Sequence, residues 1–137
     1  MGYLPDTLPL PDGNPDEAGF WANCEARQLT FQCCGDCDTW QHPPTPYCPA
    51  CGSVNRTWRD APEIGEVYAF TITHHPAHPS VQGLAPYNVI LVDFPELGHL
   101  RLISNLVDGN DISIGMKVRL VWDEQGGRTL PRFTKAG

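Results

Sequence analysis

The stretches CGDC at residues 34–37 and CPAC at residues 48–51 decide the fold of this chain. Each CxxC places two thiolates on one tight turn, and ten residues separate the two pairs. Two such turns facing each other complete a tetrahedral shell around one ion. The spacing therefore predicts a structural zinc site. Cysteine sulfurs occupy all four coordination positions, so no position is open to substrate or water. The predicted ligands are Cys34, Cys37, Cys48 and Cys51.

The N-terminus lacks a basic region followed by an apolar stretch, so we predict no signal peptide and a cytoplasmic protein. In that compartment paired CxxC motifs indicate metal rather than disulfides.

Neighbouring residues offer alternatives to this ligand set. His42 lies in the Pro-rich connection of the two pairs and is the alternative ligand. Cys24 and Cys33 are expected to be inert buried thiols, with a reactive role as the alternative.

The segment before the ribbon, residues 1–28, is predicted to be an extended arm followed by a short helix. Residues 1–13 are rich in Pro, Asp and Gly. Asn14 fits the N-cap position, Pro15 and the acidic residues after it fit the first turn, and Glu17 completes a capping box. The helix is predicted to end at about Arg27.

One face of this helix carries Phe20 and Trp21. A helix this short is not stable alone, so the aromatic face must pack on something. It packs either on the chain's own ribbon or on a partner subunit. Phe20 and Trp21 are our predicted partner-binding residues.

After residue 64 the pattern changes to short strands rich in β-branched and aromatic residues, separated by Gly, Pro, Asn and Asp. Five strands without intervening helices favour an OB-fold barrel, with an SH3-like barrel as the alternative. The predicted fold is thus mainly β: a short helix, a rubredoxin-like four-cysteine ribbon at 29–60 and a barrel at 61–137 with a separate core. The predicted strands are 65–73, 87–94, 100–107, 116–123 and 128–134.

Net charge separates the functional classes. The 16 acidic residues outnumber the 9 basic ones, and only two residues are lysine. Single-stranded nucleic acid is bound by basic grooves with interleaved aromatic side chains, so an OB module that binds nucleic acid is disfavoured. No apolar run reaches about 18 residues, so no membrane span is predicted.

The order of several short motifs carries a resemblance to a known family. They are FW at 20–21, HPPTPYCPACGS at 42–53, HHPAHP at 74–79, PY at 86–87, IGMKV at 114–118 and TLPRF at 129–133. In this order they resemble the zinc-ribbon/OB-fold acyl-CoA-associated family, catalogued as domain of unknown function number thirty-five. The resemblance covers residues 20–133. One departure is Asp38, where the family usually has glycine, and it puts the geometry of the first knuckle turn in doubt.

The resemblance implies a companion subunit whose catalytic residues lie on a partner. Members of this family accompany enzymes that act on coenzyme A thioesters. The partners are thiolase-superfamily subunits (thiolases, acyltransferases and retro-aldolases of steroid side-chain breakdown) and MaoC-type hydratases. The closing stretch at 105–133 looks closest to the companions of steroid side-chain aldolases.

No catalytic residue is nominated, and a free-standing enzyme is disfavoured because no acid, base and nucleophile can be grouped from the sequence. The loop histidines either face water or contact ligand, and a second metal site with Asp93 is the weaker alternative. The strand aromatics are assigned to the barrel core or face rather than to a stacking platform; they are Tyr68, Phe70, Tyr87 and Trp122. Candidates for acyl-CoA or interface contacts are His74, His75, His78, Tyr87, Arg101, Arg119 and Arg132.

Overall fold

A computed structural model describes residues 2–10 and 14–137 of the chain. Within these ranges the fold is mainly β, with one α-helix and eight strands in two sheets. The helix α1 spans Ala18–Glu25 and follows a 3-10 turn at Pro15–Glu17. The strands are β1 Thr30–Cys34, β2 Trp40–Gln41, β3 Arg56–Asp60, β4 Ile64–Thr73, β5 Tyr87–Phe94, β6 Leu100–Ser104, β7 Lys117–Gln125 and β8 Arg128–Lys135.

The helix begins at the predicted capping box. The Asn14 side chain accepts a hydrogen bond from the Glu17 amide at 3.1 Å, and the Glu17 carboxylate accepts one from the Asn14 amide at 3.2 Å. These bonds satisfy donors that a helix start leaves free. The helix ends at Glu25, two residues before the predicted end, and the backbone turns at Arg27 with a φ of 58°.

The ribbon is a three-stranded antiparallel sheet in the order β2-β1-β3. All five side chains of β1 are buried, and β3 pairs with β1 along its whole length. The two-residue strand β2 lies in the Pro-rich connection and was not predicted. It pairs with β1 through Gln41 and Trp40, and so fixes the connection against the ribbon.

The five predicted barrel strands all form, as one antiparallel sheet in the order β6-β5-β4-β7-β8. The sheet curls until its edges meet in a parallel bridge between Leu106 and Phe133. The Val107 amide donates to the Phe133 carbonyl at 2.8 Å, and the Phe133 amide donates to the Asn105 carbonyl at 3.1 Å. These bonds join the end of β6 to β8 at one place and leave the sheet a curled half-barrel.

The ribbon and the barrel share one hydrophobic core, and the expectation of a separate barrel core is wrong. Phe31 of β1 lies between Phe20 of α1, at a ring-centroid distance of 6.2 Å, and Phe94 of β5, at 5.4 Å. Phe133 of β8 follows at 6.5 Å from Phe94. We call these four rings the aromatic column. All four are buried in one cluster, so the helix, the ribbon and the barrel enclose a common core.

The described part of the arm packs on the barrel instead of extending away from it. It turns between Pro5 and Leu8, and the Tyr3 amide donates to Asp123 at 2.9 Å. Asp6 accepts from the Gly126 amide at 2.9 Å. The rest of the predicted arm, residues 1 and 11–13, lies outside the described residues.

Across the described ranges, none of the helices is long and apolar enough to cross a membrane. The predicted division at residues 28 and 60 stays a prediction.

Candidate metal centre

The sulfur atoms of the four predicted ligands converge on one point. All four lie within 4.8 Å of one another. The Cys34 and Cys51 sulfurs are 3.7 Å apart, and those of Cys37 and Cys48 are 3.5 Å apart. A tetrahedral zinc site with bonds of about 2.3 Å requires sulfurs about 3.8 Å apart. The observed spacing therefore fits one tetrahedral ion.

The two knuckle turns have the same backbone geometry. The Asp38 amide donates to the Cys34 carbonyl at 3.0 Å, and the Gly52 amide donates to the Cys48 carbonyl at 2.8 Å. Both turn residues are left-handed, with φ of 61° and 77°. Aspartate is among the few residues besides glycine that visit this region, and here it pairs with Arg59 at 2.9 Å. The departure at Asp38 therefore leaves the knuckle intact.

Backbone amides prepare two of the sulfurs for metal. The Asp36 and Cys37 amides each lie 3.4 Å from the Cys34 sulfur, and the first of these bonds is the main cause that lowers the pKa of Cys34. Burial acts to raise the pKa of Cys48, but the amides of Cys51 and Ala50 outweigh it and lower that pKa to about 6. The lowered pKa of these two cysteines makes the thiolate, the form that binds metal, easier to reach.

The thiol of Cys51 needs a nearby cation to lose its proton. The Ser53 amide acts to lower the pKa of Cys51, but the neighbouring thiols of Cys37, Cys34 and Cys48 raise it to about 12. Four thiolates at this spacing repel one another unless a positive ion sits among them. The chemistry of the donor set, like its geometry, fits a divalent soft-ligand metal.

The other candidate ligands lie elsewhere. Cys24 and Cys33 are fully buried outside the cluster, and burial raises the pKa of both, that of Cys24 to about 12. His42 packs against Phe20 and Phe31 with ring centroids 5.1 Å away, and burial lowers its pKa to about 4. The structure does not bring His42 into the cluster.

The comparisons with known proteins match two consecutive parts of the chain. Residues 21–55 match the ChsH2 rubredoxin-like zinc ribbon domain, and residues 58–123 match the C-terminal OB-fold domain of ChsH2. A solved structure described as the Ltp2-ChsH2(DUF35) aldolase contains a chain 40% identical to this one, with a TM-score of 0.84. The match covers 93% of this chain and 100% of that one. The chain belongs to the ChsH2 (DUF35) family.

Two further relatives of this DUF35 chain are informative. A Thermomonospora curvata protein described as "Probable enoyl-CoA hydratase alpha subunit" is 40% identical over 131 residues. The match covers 93% of this chain and 40% of that protein, so the chain spans two-fifths of the length of this curated relative. A DUF35 protein of Sulfolobus solfataricus, of unknown function, has the same fold at 17% identity. Its TM-score is 0.61, and the match covers 89% of this chain and 86% of that one.

The loop histidines do not form a second metal site within the described residues. His74, His75 and His78 are exposed in the connection of β4 to β5. His78 caps the following 3-10 turn, where its Nδ1 accepts from the Ser80 amide at 3.1 Å. Asp93, the carboxylate suggested for them, contacts other residues.

Sequence reasoning missed a polar cluster around Asp93. This carboxylate is 6% exposed and lies 2.9 Å from His99 Nδ1 and 3.3 Å from Arg101 Nε. Arg101 also lies over the Tyr68 ring, 3.6 Å from its centroid. The only available signal was alternation, which places Arg101 opposite Asp93 across β5 and β6. His99 follows an irregular turn, which a strand pattern does not predict.

The remaining candidates are not gathered into one pocket. Arg119 lies 3.8 Å from Glu63. Arg132 is buried, donates to Gln125 at 3.1 Å and has its pKa lowered by that burial. Tyr87 and Arg132 line a cleft of about 340 Å³ between the arm, α1 and the barrel.

The structure separates the two predicted partner-binding residues. Phe20 is 3% exposed and belongs to the chain's own core. Trp21 is half-buried and lines the same cleft as Tyr87 and Arg132. Of the two predicted residues only Trp21 is accessible to a partner, and that role stays a prediction.

Proposed function

We propose that this chain is the non-catalytic companion subunit of a heteromeric acyl-CoA enzyme, with a thiolase-superfamily aldolase subunit as its partner. One observation carries the proposal. The chain matches the whole ChsH2 chain of the Ltp2–ChsH2 aldolase at 40% identity, with a TM-score of 0.84. At that similarity the shared surface as well as the fold is expected to be retained. The companion stabilises the partner or helps it to hold the acyl-CoA, and steroid side chains are the substrate class that the resemblance suggests.

The metal centre supports this role as a structural element. Cys34, Cys37, Cys48 and Cys51 would hold one zinc ion, whose bonds join the two knuckles. A shell of four protein ligands leaves no position for water or substrate, so the ion contributes folding free energy and no chemistry. Within the described residues, Asp93 and His99 form the one close carboxylate–histidine pair. The residue that also contacts Asp93 is Arg101, and an arginine does not act as a nucleophile, so this group does not complete a catalytic set.

A second candidate function is that of a component of an enoyl-CoA hydratase of the MaoC type. The observation that favours it is the relative described as a hydratase alpha subunit, of which this chain matches two-fifths. In this candidate too, the residues that act on the acyl-CoA would lie on a polypeptide other than this chain. The two candidates differ in the partner and in the reaction, carbon–carbon cleavage against hydration.

Co-expression tests both candidates. We would co-express the chain with Ltp2 and, separately, with a MaoC-type hydratase subunit, and follow complexes by size-exclusion chromatography. The proposal expects co-elution with Ltp2 and a gain in aldolase activity over Ltp2 alone, with the chain inactive by itself. Co-elution with the hydratase subunit only would favour the second candidate. Turnover by the isolated chain would contradict the companion role.

A further inference from the structure

A long uncharged segment forms the first two strands of the barrel. Residues 67–92, a run of 26, contain no Asp, Glu, Lys or Arg, so all 16 acidic and 9 basic residues lie elsewhere in the chain. The segment covers most of β4, the histidine-rich loop and most of β5. A surface strand normally alternates apolar and polar residues, and this segment does so only in part.

The same two strands project beyond the sheet. β7 pairs with β4 only at residues 64–66, whereas β5 pairs with β4 as far as Thr73 and Tyr87. Within the described residues, no strand lies against the outer edge of β4 past Val67. Val67 is 1% exposed, but no side chain from Tyr68 to Thr73 is buried. The two strands bury Val67, Ile90 and Val92 on their inner face and leave the apolar side chains of their outer face partly open to solvent.

These apolar side chains are contiguous with one exposed residue of β6. A shallow cleft of about 310 Å³ runs along them, lined by Phe70, Val89, Leu91 and Ile103. Ile103 lies opposite Leu91 and is 71% exposed, and Tyr68 is 49% exposed. The register places Tyr68, Val89, Leu91 and Ile103 on the outer face of the sheet, and we call this patch the hairpin surface.

We propose that the hairpin surface is the face on which the partner subunit of the heteromeric enzyme docks. The inference rests on the proposed function and adds to it the place of contact. Interface centres are depleted in charged residues and enriched in aromatic ones, as this segment is. Arg101 lies over Tyr68 at the edge of this surface and is paired with Asp93, so the surface offers little positive charge to a polyanion.

Two matched substitutions test the docking face. Ile103→Glu places a charge at the centre of the hairpin surface, and Val54→Glu places the same charge on the ribbon at a residue 80% exposed. Neither side chain is buried, so both variants are expected to keep the zinc content and melting temperature of the natural chain. Binding to immobilised Ltp2 would be measured by biolayer interferometry. We expect Ile103→Glu to raise Kd at least about tenfold and Val54→Glu to leave it unchanged.

The outcomes separate this inference from the function beneath it. If the unaltered chain binds Ltp2 and Ile103→Glu binds equally well, the docking face is overturned and the companion role stands. If the unaltered chain binds neither Ltp2 nor the hydratase subunit, both fail. If the unaltered chain sediments as a dimer that Ile103→Glu dissociates without weakening Ltp2 binding, the occupant is a second copy and the inference is overturned.

Discussion

Cys33 and Cys34 are neighbours on β1 and both are fully buried, yet only Cys34 belongs to the sulfur cluster. Because strand side chains alternate, the two point to opposite faces. Alanine at each position removes one sulfur from the same strand. The pair therefore separates loss of a ligand from loss of packing.

We expect Cys34→Ala to lose its zinc, because three thiolates cannot complete the tetrahedral shell. Cys33→Ala should keep one zinc per chain and lose about 1 kcal/mol of stability from the small cavity. Elemental analysis after gel filtration and denaturant unfolding measure the two effects. Stoichiometric zinc in Cys34→Ala, or none in Cys33→Ala, would contradict the assigned ligand set.

His42 gives the fold a pH dependence. Burial lowers its pKa to about 4 in the folded chain, below the value of about 6.5 for a solvated histidine. Between these values the unfolded chain binds a proton that the folded chain does not, so stability falls as pH drops from about 6.5 to 4. The slope from this group alone approaches about 1.4 kcal/mol per pH unit. Below the pKa of the folded state, the stability that the neutral His42 ring contributes has been lost.

The variant His42→Leu isolates this effect, since leucine fills a similar volume and does not titrate. We expect the unfolding free energy of the natural chain to fall more steeply between pH 7 and pH 5 than that of His42→Leu. Guanidinium unfolding at each pH, with zinc content verified, gives the two slopes. Equal slopes would show that His42 is not buried as a neutral ring.

Among the elements, α1 is held on the ribbon by a glycine. A Cβ at Gly19 would come within 2.5–2.8 Å of the Trp58 indole of β3. The indole therefore packs directly on the helix backbone. Gly19 lies in the first turn of α1, and glycine in a helix is ordinarily unfavourable by up to about 1 kcal/mol, so this close contact explains its presence.

Gly19→Ala should therefore destabilise the chain, against the ordinary sign of such a change. We expect a loss of about 1–3 kcal/mol in denaturant unfolding, the usual cost of overpacking. The control is Ala22→Gly, at an exposed position of the same helix, with a loss of about 1 kcal/mol from helix propensity alone. A more stable Gly19→Ala would mean that the helix does not pack on Trp58.

The sequence predicted those elements that are determined by residues close together in the chain. The capping box, the two knuckles and the five barrel strands follow from residues close together in the chain. β2 was missed because two residues in a Pro-rich connection carry no periodicity. The nearly continuous apolar run at residues 87–94 predicted a strand but not which face is covered, and the structure leaves Val89 and Leu91 partly open. Which face of a strand is covered depends on distant elements or on another chain.

At the scale of the whole molecule, zinc removal should unfold ribbon and barrel together. The aromatic column joins the two modules, and the binding free energy of a structural metal is also folding free energy. With EDTA at pH 7, we expect hydrogen exchange to show residues 30–60 and 64–135 losing protection in one transition. Added zinc should restore both. A barrel that stays protected after the ribbon opens would contradict a shared core.

The shared core was beyond sequence reasoning for a physical reason. Phe20, Phe31, Phe94 and Phe133 are far apart in the chain, and each lies in an element with its own local pattern. Periodicity assigns each ring to a buried face but not to a common cluster. The same holds for the cluster around Asp93, because one of its members, His99, comes from a turn that no periodic pattern predicts.

The aromatic column also limits how the two halves of such proteins can recombine. A chimaera that joins the ribbon of one family member to the barrel of another breaks the stack at Phe31 and Phe94 unless both parents place rings of matching size there. The exchangeable unit is then the pair of halves. Engineers who wish to move a ribbon to a new host should transplant Phe94 and Phe133 along with the cysteines.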